Sequence, residues 1–329
     1  MNTVSVKAPR SGTAHQRRSD ALGFLFALPH LLLFATFVLA PVLYGFYISL
    51  HRWHVLEKTH PFVGSSNYGA ALSDDIFWIA LHNTIYFVIL VVPAGNLVSL
   101  LLALGLYSVK RFRAFYTVAF YLPVVISIAV VAVLWRWLYN TEIGLLNMYV
   151  STIVDGLRGI GLPLAPYQPI PWLSNPSFVM PSIALMSIWW GSGGNMVLYL
   201  AGLNNIPDDY YEAAVIDGAN AWKRFLHITW PLLRPTTLFC LVFSVLGAFQ
   251  IFGQTYVLFA PGSGPARSGL TLALYMYQQG FNQHEIGYGA AIAYLIFAIV
   301  LVLTVIQFRL LADRENTIRR TGAKAKKAR

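Results

Sequence analysis

Residues 76–109 read IFWIALHNTIYFVILVVPAGNLVSLLLALGLYSV and contain no Asp, Glu, Lys or Arg. Leu, Val, Ile and Ala dominate the stretch, and no tight turn interrupts it. An α-helix that crosses the roughly 30 Å hydrocarbon core of a bilayer needs about 20 apolar residues. The stretch therefore predicts a transmembrane helix.

The composition of the whole chain agrees with a membrane protein. Of its 329 residues, 57% are hydrophobic and only 11% are charged, and the mean hydropathy is +0.59. Because a soluble domain carries roughly 25% charged residues, this composition argues against an ordinary water-soluble enzyme. The single cysteine, Cys240, excludes an intramolecular disulfide and a cysteine-clustered metal site.

Five further windows without Asp, Glu, Lys or Arg are long enough to cross a membrane. They cover residues 21–50, 114–135, 159–207, 235–266 and 286–308. Five prolines make the first part of the 159–207 window a poor helix, so its spanning part begins near Phe178. We predict an all-α membrane protein with six transmembrane helices, at about 21–50, 77–107, 114–137, 178–203, 235–260 and 286–309.

The positive charges orient these helices. With the N-terminal tail inside, 18 of the 23 Lys and Arg residues fall in cytoplasmic segments. This bias predicts that both termini are cytoplasmic. The first apolar run is too long for a signal-peptide core and is interpreted as a retained helix. The basic tails, 1–20 and 311–329, are expected to lie on anionic lipid rather than on nucleic acid.

The longest cytoplasmic loop, residues 204–234, reads NNIPDDYYEAAVIDGANAWKRFLHITWPLLR. Pro207 suits the first turn of a short helix that Gly218 ends. Asn220 can cap a second short helix, which Pro231 is expected to end. The loop thus predicts two short helices that meet at a glycine near the membrane surface.

One side of the first short helix is small enough for another protein to approach closely. Ala213, Ala214 and Gly218 form that side, and Glu212 and Asp217 place charges beside it. Such a helix could bind in a cleft of a partner protein, and a movement of the partner would then move the helix. A solvated loop with no partner is the other interpretation of the same residues.

The loop resembles the EAA signature of permease subunits of ATP-binding-cassette (ABC) importers. The resemblance rests on Tyr-Glu-Ala-Ala at 211–214, Asp-Gly-Ala at 217–219 and Ile-Thr-Trp-Pro at 228–231. FYLP at 120–123, LWRWLYN at 134–140 and GLLN at 144–147 resemble carbohydrate permeases of the maltose and glycerol-3-phosphate type. The likeness covers residues 23–310, but Gly-Ser-Gly-Pro at 262–265 replaces the usual Gly-Gly-Pro.

The resemblance implies a type I importer permease fold over residues 21–310, in the inner membrane of a prokaryote. It implies that Glu212, Ala213, Ala214, Asp217 and Gly218 couple the chain to an ATPase dimer. A second homologous permease and an extracytoplasmic solute-binding protein are the other implied partners. Sugars, oligosaccharides, polyols and glycerol phosphates fit equally well as cargo.

Residue patterns for catalysis are missing from the sequence. The phosphate-binding motif G-x-x-x-x-G-K-[ST] does not occur, and His284-Glu285 lacks the second histidine of a zinc motif. We expect no catalytic residue, no metal site and no cofactor in this chain. ATP and Mg²⁺ would be bound by the partner ATPase.

Polar residues inside the predicted spans indicate a translocation path, because such residues usually face a bundle interior or a wet cavity. A sugar requires amides that pair with hydroxyl groups and a flat aromatic surface. Candidates to contact substrate are Trp189, Trp190, Asn195, Ser244, Gln250 and Gln254, with Asn96, Ser99 and Ser127 also near mid-depth. Each could instead be an interhelical packing contact.

An ion-gradient-driven secondary transporter is the alternative function. Such carriers usually keep ionisable residues in their spans, whereas the six windows contain no Asp, Glu, Lys or Arg and leave only histidine as a candidate. A membrane enzyme is a third class of function. Such an enzyme would need clustered acidic or histidine side chains at a membrane face, and the acidic cluster of this sequence is already explained by the 204–234 loop.

Overall fold

The computed structural model describes residues 13–109 and 111–327, and the side chains of residues 24–109 and 111–309. Within this part the chain is helical and forms no strand; isolated bridges pair His51 with Phe62 and His54 with Glu285. The predicted all-α class is confirmed. Of the Lys and Arg residues counted for the orientation, Lys7, Arg10, Lys110 and Arg329 lie outside the described residues.

Fourteen α-helices follow one another along the described chain. They are α1 (Thr13–Phe34), α2 (Ala40–Ser49), α3 (Ser66–Leu72), α4 (Asp75–Ser108), α5 (Arg113–Val125), α6 (Ile128–Leu138), α7 (Leu145–Gly159), α8 (Pro176–Asn204), α9 (Asp208–Ile216), α10 (Ala221–Arg224), α11 (Trp230–Phe249), α12 (Gly253–Phe259), α13 (Leu272–Tyr277) and α14 (Ile286–Lys327). Wider π-helical turns occupy Ala35–Leu39, Phe225–Thr229 and Gln278–Asn282.

Four described helical segments are long and apolar enough to cross a membrane. They are Phe24–Ser49, Asp75–Ser108, Ala221–Phe259 and Ile286–Arg309. The helices α5 and α6 meet at 94° and count as a fifth span if the bent pair crosses as one unit. The described residues therefore supply four or five spans by length and composition, where the sequence predicted six.

The predicted fourth span corresponds to α8, which is long enough at 29 residues but is not among the apolar spans. Thirteen of those residues are buried, because α8 packs against α4, α5 and α11. A helix surrounded by other helices has less need of lipid-compatible side chains, and its Gly, Ser and Asn residues lower its hydropathy.

Some predicted helices are interrupted in the structure, and the last one extends further than predicted. The predicted helix 114–137 is broken at Ile126 and Ser127, whose backbone is extended; Pro123 lacks the N–H that would strengthen the preceding turn. The helix predicted over 235–260 is interrupted between α11 and α12. The last helix continues to Lys327, because charge marks the lipid boundary and not the end of a helix.

Pro231 does not end a helix, contrary to the prediction. The helix passes from α10 through the π-helical turn Phe225–Thr229 into α11, with Pro231 in the first turn of α11. Pro41 follows the π-helical turn Ala35–Leu39 in the same way. A widened turn accommodates the proline ring and its missing N–H without breaking the helix.

A partly buried hydrogen-bonded cluster joins three helices at the end of the bundle opposite α9. Asp74 caps α4 by accepting a 2.8 Å hydrogen bond from the Ile76 N–H. Its carboxylate also accepts hydrogen bonds from the hydroxyls of Tyr275 and of Tyr288, the latter at 2.9 Å. Burial raises the pKa of Asp74, but these hydrogen bonds outweigh it and leave the pKa lowered.

We expect Asp74→Ala to destabilise the chain by about 2 kcal/mol, because it removes a helix cap and leaves two hydroxyls unpaired. The lowered pKa means that the carboxylate stabilises the fold above its ordinary pKa of 3.8 and that this stabilisation is lost as the pH falls further. Thermal unfolding in detergent measures both effects. Asp74→Asn, which keeps a cap, should lose less stability and should remove the acid dependence. Equal losses in both variants would contradict the role of the cap, and an unchanged acid dependence in Asp74→Asn would contradict the role of the charge.

Candidate functional site

The helix α9 ends as the sequence predicted. Its last turn is closed by hydrogen bonds from the Gly218 N–H to the Val215 carbonyl (3.0 Å) and from the Ala219 N–H to the Ala214 carbonyl (2.8 Å). Gly218 has φ +74°, a left-handed conformation that glycine adopts without strain. Asn220 then caps α10 by accepting a hydrogen bond from the Lys223 N–H. These contacts set the angle between the two short helices.

The predicted contact residues of this loop lie on its free surface. Glu212, Ala213, Asp217 and Gly218 are exposed, and Ala214 is half-buried. The charges of α9 therefore border a face of small residues that the described chain leaves largely uncovered.

Two large apolar side chains on the same surface were missed by the sequence analysis. Ile216 is 86% exposed and Trp222 is 66% exposed. Their apolar character in an otherwise charged loop was the available signal. Such exposed side chains are typical of a surface that a partner protein covers.

The opposite side of α9 is anchored to the bundle. The Tyr211 hydroxyl lies 3.0 Å from Thr229 Oγ1, and Tyr211 packs against a core cluster that includes Leu106, Leu203 and Leu233. These leucines belong to the ends of α4 and α8 and to the start of α11. A force on α9 therefore acts on three long helices together.

A cavity of about 270 Å³ lies between α4, α8, α11 and α12. Four of the six predicted path residues line it: Trp190, Asn195, Ser244 and Gln254. The remaining lining side chains are mostly apolar and include Phe87, Val91 and Phe243. An apolar cavity with a few converging polar groups is the usual form of a small-molecule site.

Hydrogen bonds hold the polar wall of this cavity in place. Ser244 Oγ accepts from Asn195 Nδ2 at 2.9 Å and from Asn96 Nδ2 at 3.0 Å. Asn96 also donates to the Val92 carbonyl and accepts from the Tyr199 hydroxyl. Asn96 is thus a satisfied packing residue that positions Ser244 and Asn195, and it is absent from the cavity lining.

Trp190 joins the cavity to the break between α5 and α6. Its indole Nε1 donates a 3.0 Å hydrogen bond to the carbonyl of Ile126, which lies at the break. The indole ring lines the cavity. The orientation of this ring is therefore coupled to the bend of the α5–α6 pair.

Ser187 also lines the cavity and was missed by the sequence analysis. Its Oγ is buried and has no hydrogen-bond partner among the described residues. Buried hydroxyls are nearly always paired, so a bound hydroxyl group of a ligand would satisfy it. Its sequence context, a serine in an apolar helix, gave no hint of which way it would face.

Trp189, Gln250 and Ser127 are not in the cavity lining. The ring of Trp189 packs against Trp135 at 5.7 Å between ring centroids. Gln250 is exposed and caps the end of α11, so it lies across a helix break from Gln254. The four-residue spacing of the two glutamines does not place them on one helix face, because no helix continues between them.

The cavity lining includes no Asp, Glu, Lys, Arg or His side chain. Across the described residues, no group of three or more His, Cys, Asp or Glu side chains is arranged to hold a metal ion. The site can hydrogen-bond and stack on a neutral ligand.

Residues 95–316 match the family model described as binding-protein-dependent transport system inner membrane component. The arabinooligosaccharides transport system permease protein of Bacillus subtilis is 38% identical over 295 residues, which cover 88% of each chain. The lactose transport system permease protein of Rhizobium radiobacter is 33% identical over 94% of this chain and 100% of its own length.

The fold is also similar to a solved structure. A chain of a bacterial ABC transporter involved in the import of the acidic polysaccharide alginate superposes with a TM-score of 0.72. The two chains are 23% identical, and the match covers 90% of this chain and 96% of the other.

Proposed function

Since this chain belongs to the family of binding-protein-dependent transport system inner membrane components and is a permease of an ABC importer, we propose that it moves a sugar or a short oligosaccharide through the cavity. The observation that carries the proposal is a neutral cavity lined by two amide residues, four serines and Trp190. Sugar hydroxyls pair with amides and hydroxyls, and the C–H face of a sugar ring packs on an aromatic ring. Relatives named for arabinooligosaccharides and lactose support this cargo class.

The proposed topology has six spans with both termini in the cytoplasm. In it α8 is a further span, the fourth in chain order, partly shielded from lipid by its neighbours, and the bent pair α5–α6 crosses once. The clustering of Lys and Arg supports this orientation. It places α9 at the cytoplasmic face and Asp74 at the outer face.

In the proposed mechanism, the 204–234 loop couples the chain to an ATPase dimer. Glu212, Ala213, Ala214, Asp217 and Gly218 form the surface that the ATPase grips, together with exposed Ile216. ATP and Mg²⁺ are bound by the ATPase, and this chain supplies no catalytic group. Closure of the dimer moves α9, and the anchoring of α9 to α4, α8 and α11 carries the motion to three of the helices that line the cavity.

The other proposed partners complete the path. A second, homologous permease would close the open side of the cavity, and an extracytoplasmic solute-binding protein would deliver the sugar at the end opposite α9. The description of the family, binding-protein-dependent transport, supports the second partner. A secondary transporter is not favoured, because the cavity lining contains no ionisable side chain with which to couple an ion gradient.

The cavity assignment is tested by Ser187→Leu in the purified transporter reconstituted with its ATPase, sister permease and binding protein. We expect ATP-dependent sugar uptake to fall about tenfold or more, because the variant removes a hydroxyl and fills part of the cavity. Gln250→Leu, on an exposed residue outside the cavity, is the control and should transport normally. Equal uptake by both variants would place the sugar path elsewhere, and uptake without ATP or ATPase would overturn the importer assignment.

A further inference from the structure

A second concave surface lies beside α12, at the end of the bundle opposite α9. This outer groove has a volume of about 520 Å³ and is lined by Tyr256, Ala260, Pro261, Gly262, Leu274, Gln278 and Asn282. It is larger than the cavity, and its polar side chains are two amides and one phenol. None of its lining residues belongs to the cavity.

A continuous strip of aromatic rings borders the outer groove. Ring centroids lie 5.2 Å apart for Phe252–Tyr256, 5.3 Å for Tyr256–Tyr277 and 5.1 Å for Tyr277–Phe281. Tyr256 is 36% exposed and Phe281 is 65% exposed. The strip therefore offers uncovered ring surface next to the groove.

The amides and the rings form two adjacent rows. Tyr277 and Phe281 are four residues apart, and so are Gln278 and Asn282, which belong to the π-helical turn after α13. Residues four apart share a side of a helix. This places a row of hydrogen-bonding amides beside a row of aromatic faces.

Rings beside amides are the chemistry that recognises a sugar, whose ring has C–H faces and hydroxyl edges. We infer that the outer groove binds a sugar ring of an oligosaccharide, with the ring on the aromatic strip and its hydroxyls on Gln278 and Asn282. The inference rests on the proposed function and adds an outer binding site to its sugar path.

The position of α12 gives this groove its role. Gln254 lines the cavity and Tyr256 lines the groove, and residues two apart point to nearly opposite sides of a helix. The helix therefore separates the two sites. A sugar bound in the outer groove lies on the far side of α12 from the cavity and occupies this site before it enters the cavity.

Saturation-transfer NMR tests the groove on the complete transporter in nanodiscs, without binding protein, using maltotriose, arabinotriose and cellotriose as probes. We expect at least one trisaccharide to give a signal that Phe281→Ala and Gln278→Leu each lower about fivefold. The matched controls are Phe62→Ala, another exposed outer phenylalanine at 69% exposure, and Gln283→Leu, an exposed glutamine outside the groove. Both controls should keep the signal.

The same sugars are assayed for binding-protein-dependent uptake, so that the two proposals can fail separately. Uptake of a trisaccharide whose NMR signal is absent, or is unchanged in both groove variants, overturns the groove alone. The monosaccharides glucose and arabinose are assayed as well, and lack of uptake of every one of these sugars overturns the proposed function. Signal loss in the groove variants, with normal thermal stability, supports the groove.

Discussion

Glu212→Lys is expected to abolish ATP-driven uptake while the chain still inserts and binds its sister permease. Glu212 is exposed on α9, beside Ala213 on the face proposed to enter a cleft of the ATPase. Reversing a charge inside an interface costs several kcal/mol, which corresponds to a loss of at least about 100-fold in uptake. Because the side chain makes no described hydrogen bond or salt bridge within this chain, folding should be unaffected.

The experiment compares Glu212→Lys with Glu57→Lys, the same substitution at an exposed position in a different loop. Uptake in vesicles, ATPase activity stimulated by the binding protein, and co-purification of the ATPase are measured for both. We expect the control to behave as wild type and the α9 variant to lose all three. Normal uptake by Glu212→Lys would reject the coupling role of the loop.

Local rules explain why α9 and the cap of α10 were predicted from the sequence. A capping Asn220 and a glycine at the end of α9 act over a few residues, so their effect can be deduced from neighbours in the sequence. The prediction failed at Pro231, where a preceding π-helical turn absorbs the proline. The widening of that turn depends on how the helix packs, which the local sequence does not reveal.

The number of spans and the members of the cavity were harder to predict, because both depend on contacts between distant segments. The polar residues of α8 are tolerated because other helices pack around it, and that packing cannot be deduced from the sequence of α8 alone. Gln250 and Gln254 share a helical spacing, yet a break separates them. Ser187 lies among apolar residues of α8, and only the structure reveals that its hydroxyl is unpaired and lines the cavity.

Residues 191–194 of α8 read Gly-Ser-Gly-Gly, and the structure distinguishes two of these glycines. A Cβ atom on Gly193 would lie 2.3 Å from the Phe120 carbonyl oxygen and 3.0 Å from the Tyr121 Cα. A Cβ on Gly194 would meet nothing within 4 Å. Substitution by alanine is therefore expected to have opposite effects on stability at these two adjacent glycines of α8.

We expect Gly193→Ala to destabilise the bundle by about 3 kcal/mol, because neither backbone can yield as a flexible side chain could. Separation of α5 from α8 would also disturb the hydrogen bond from Trp190 to Ile126, so uptake should fall by a factor of about 10 or more. Gly194→Ala should instead stabilise α8 by about 0.5–1 kcal/mol, because alanine has a higher helix propensity than glycine. Thermal unfolding of the purified transporter and uptake in vesicles measure both variants. Equal stability of the two would show that α5 and α8 do not approach as closely at Gly193 as the structure has them.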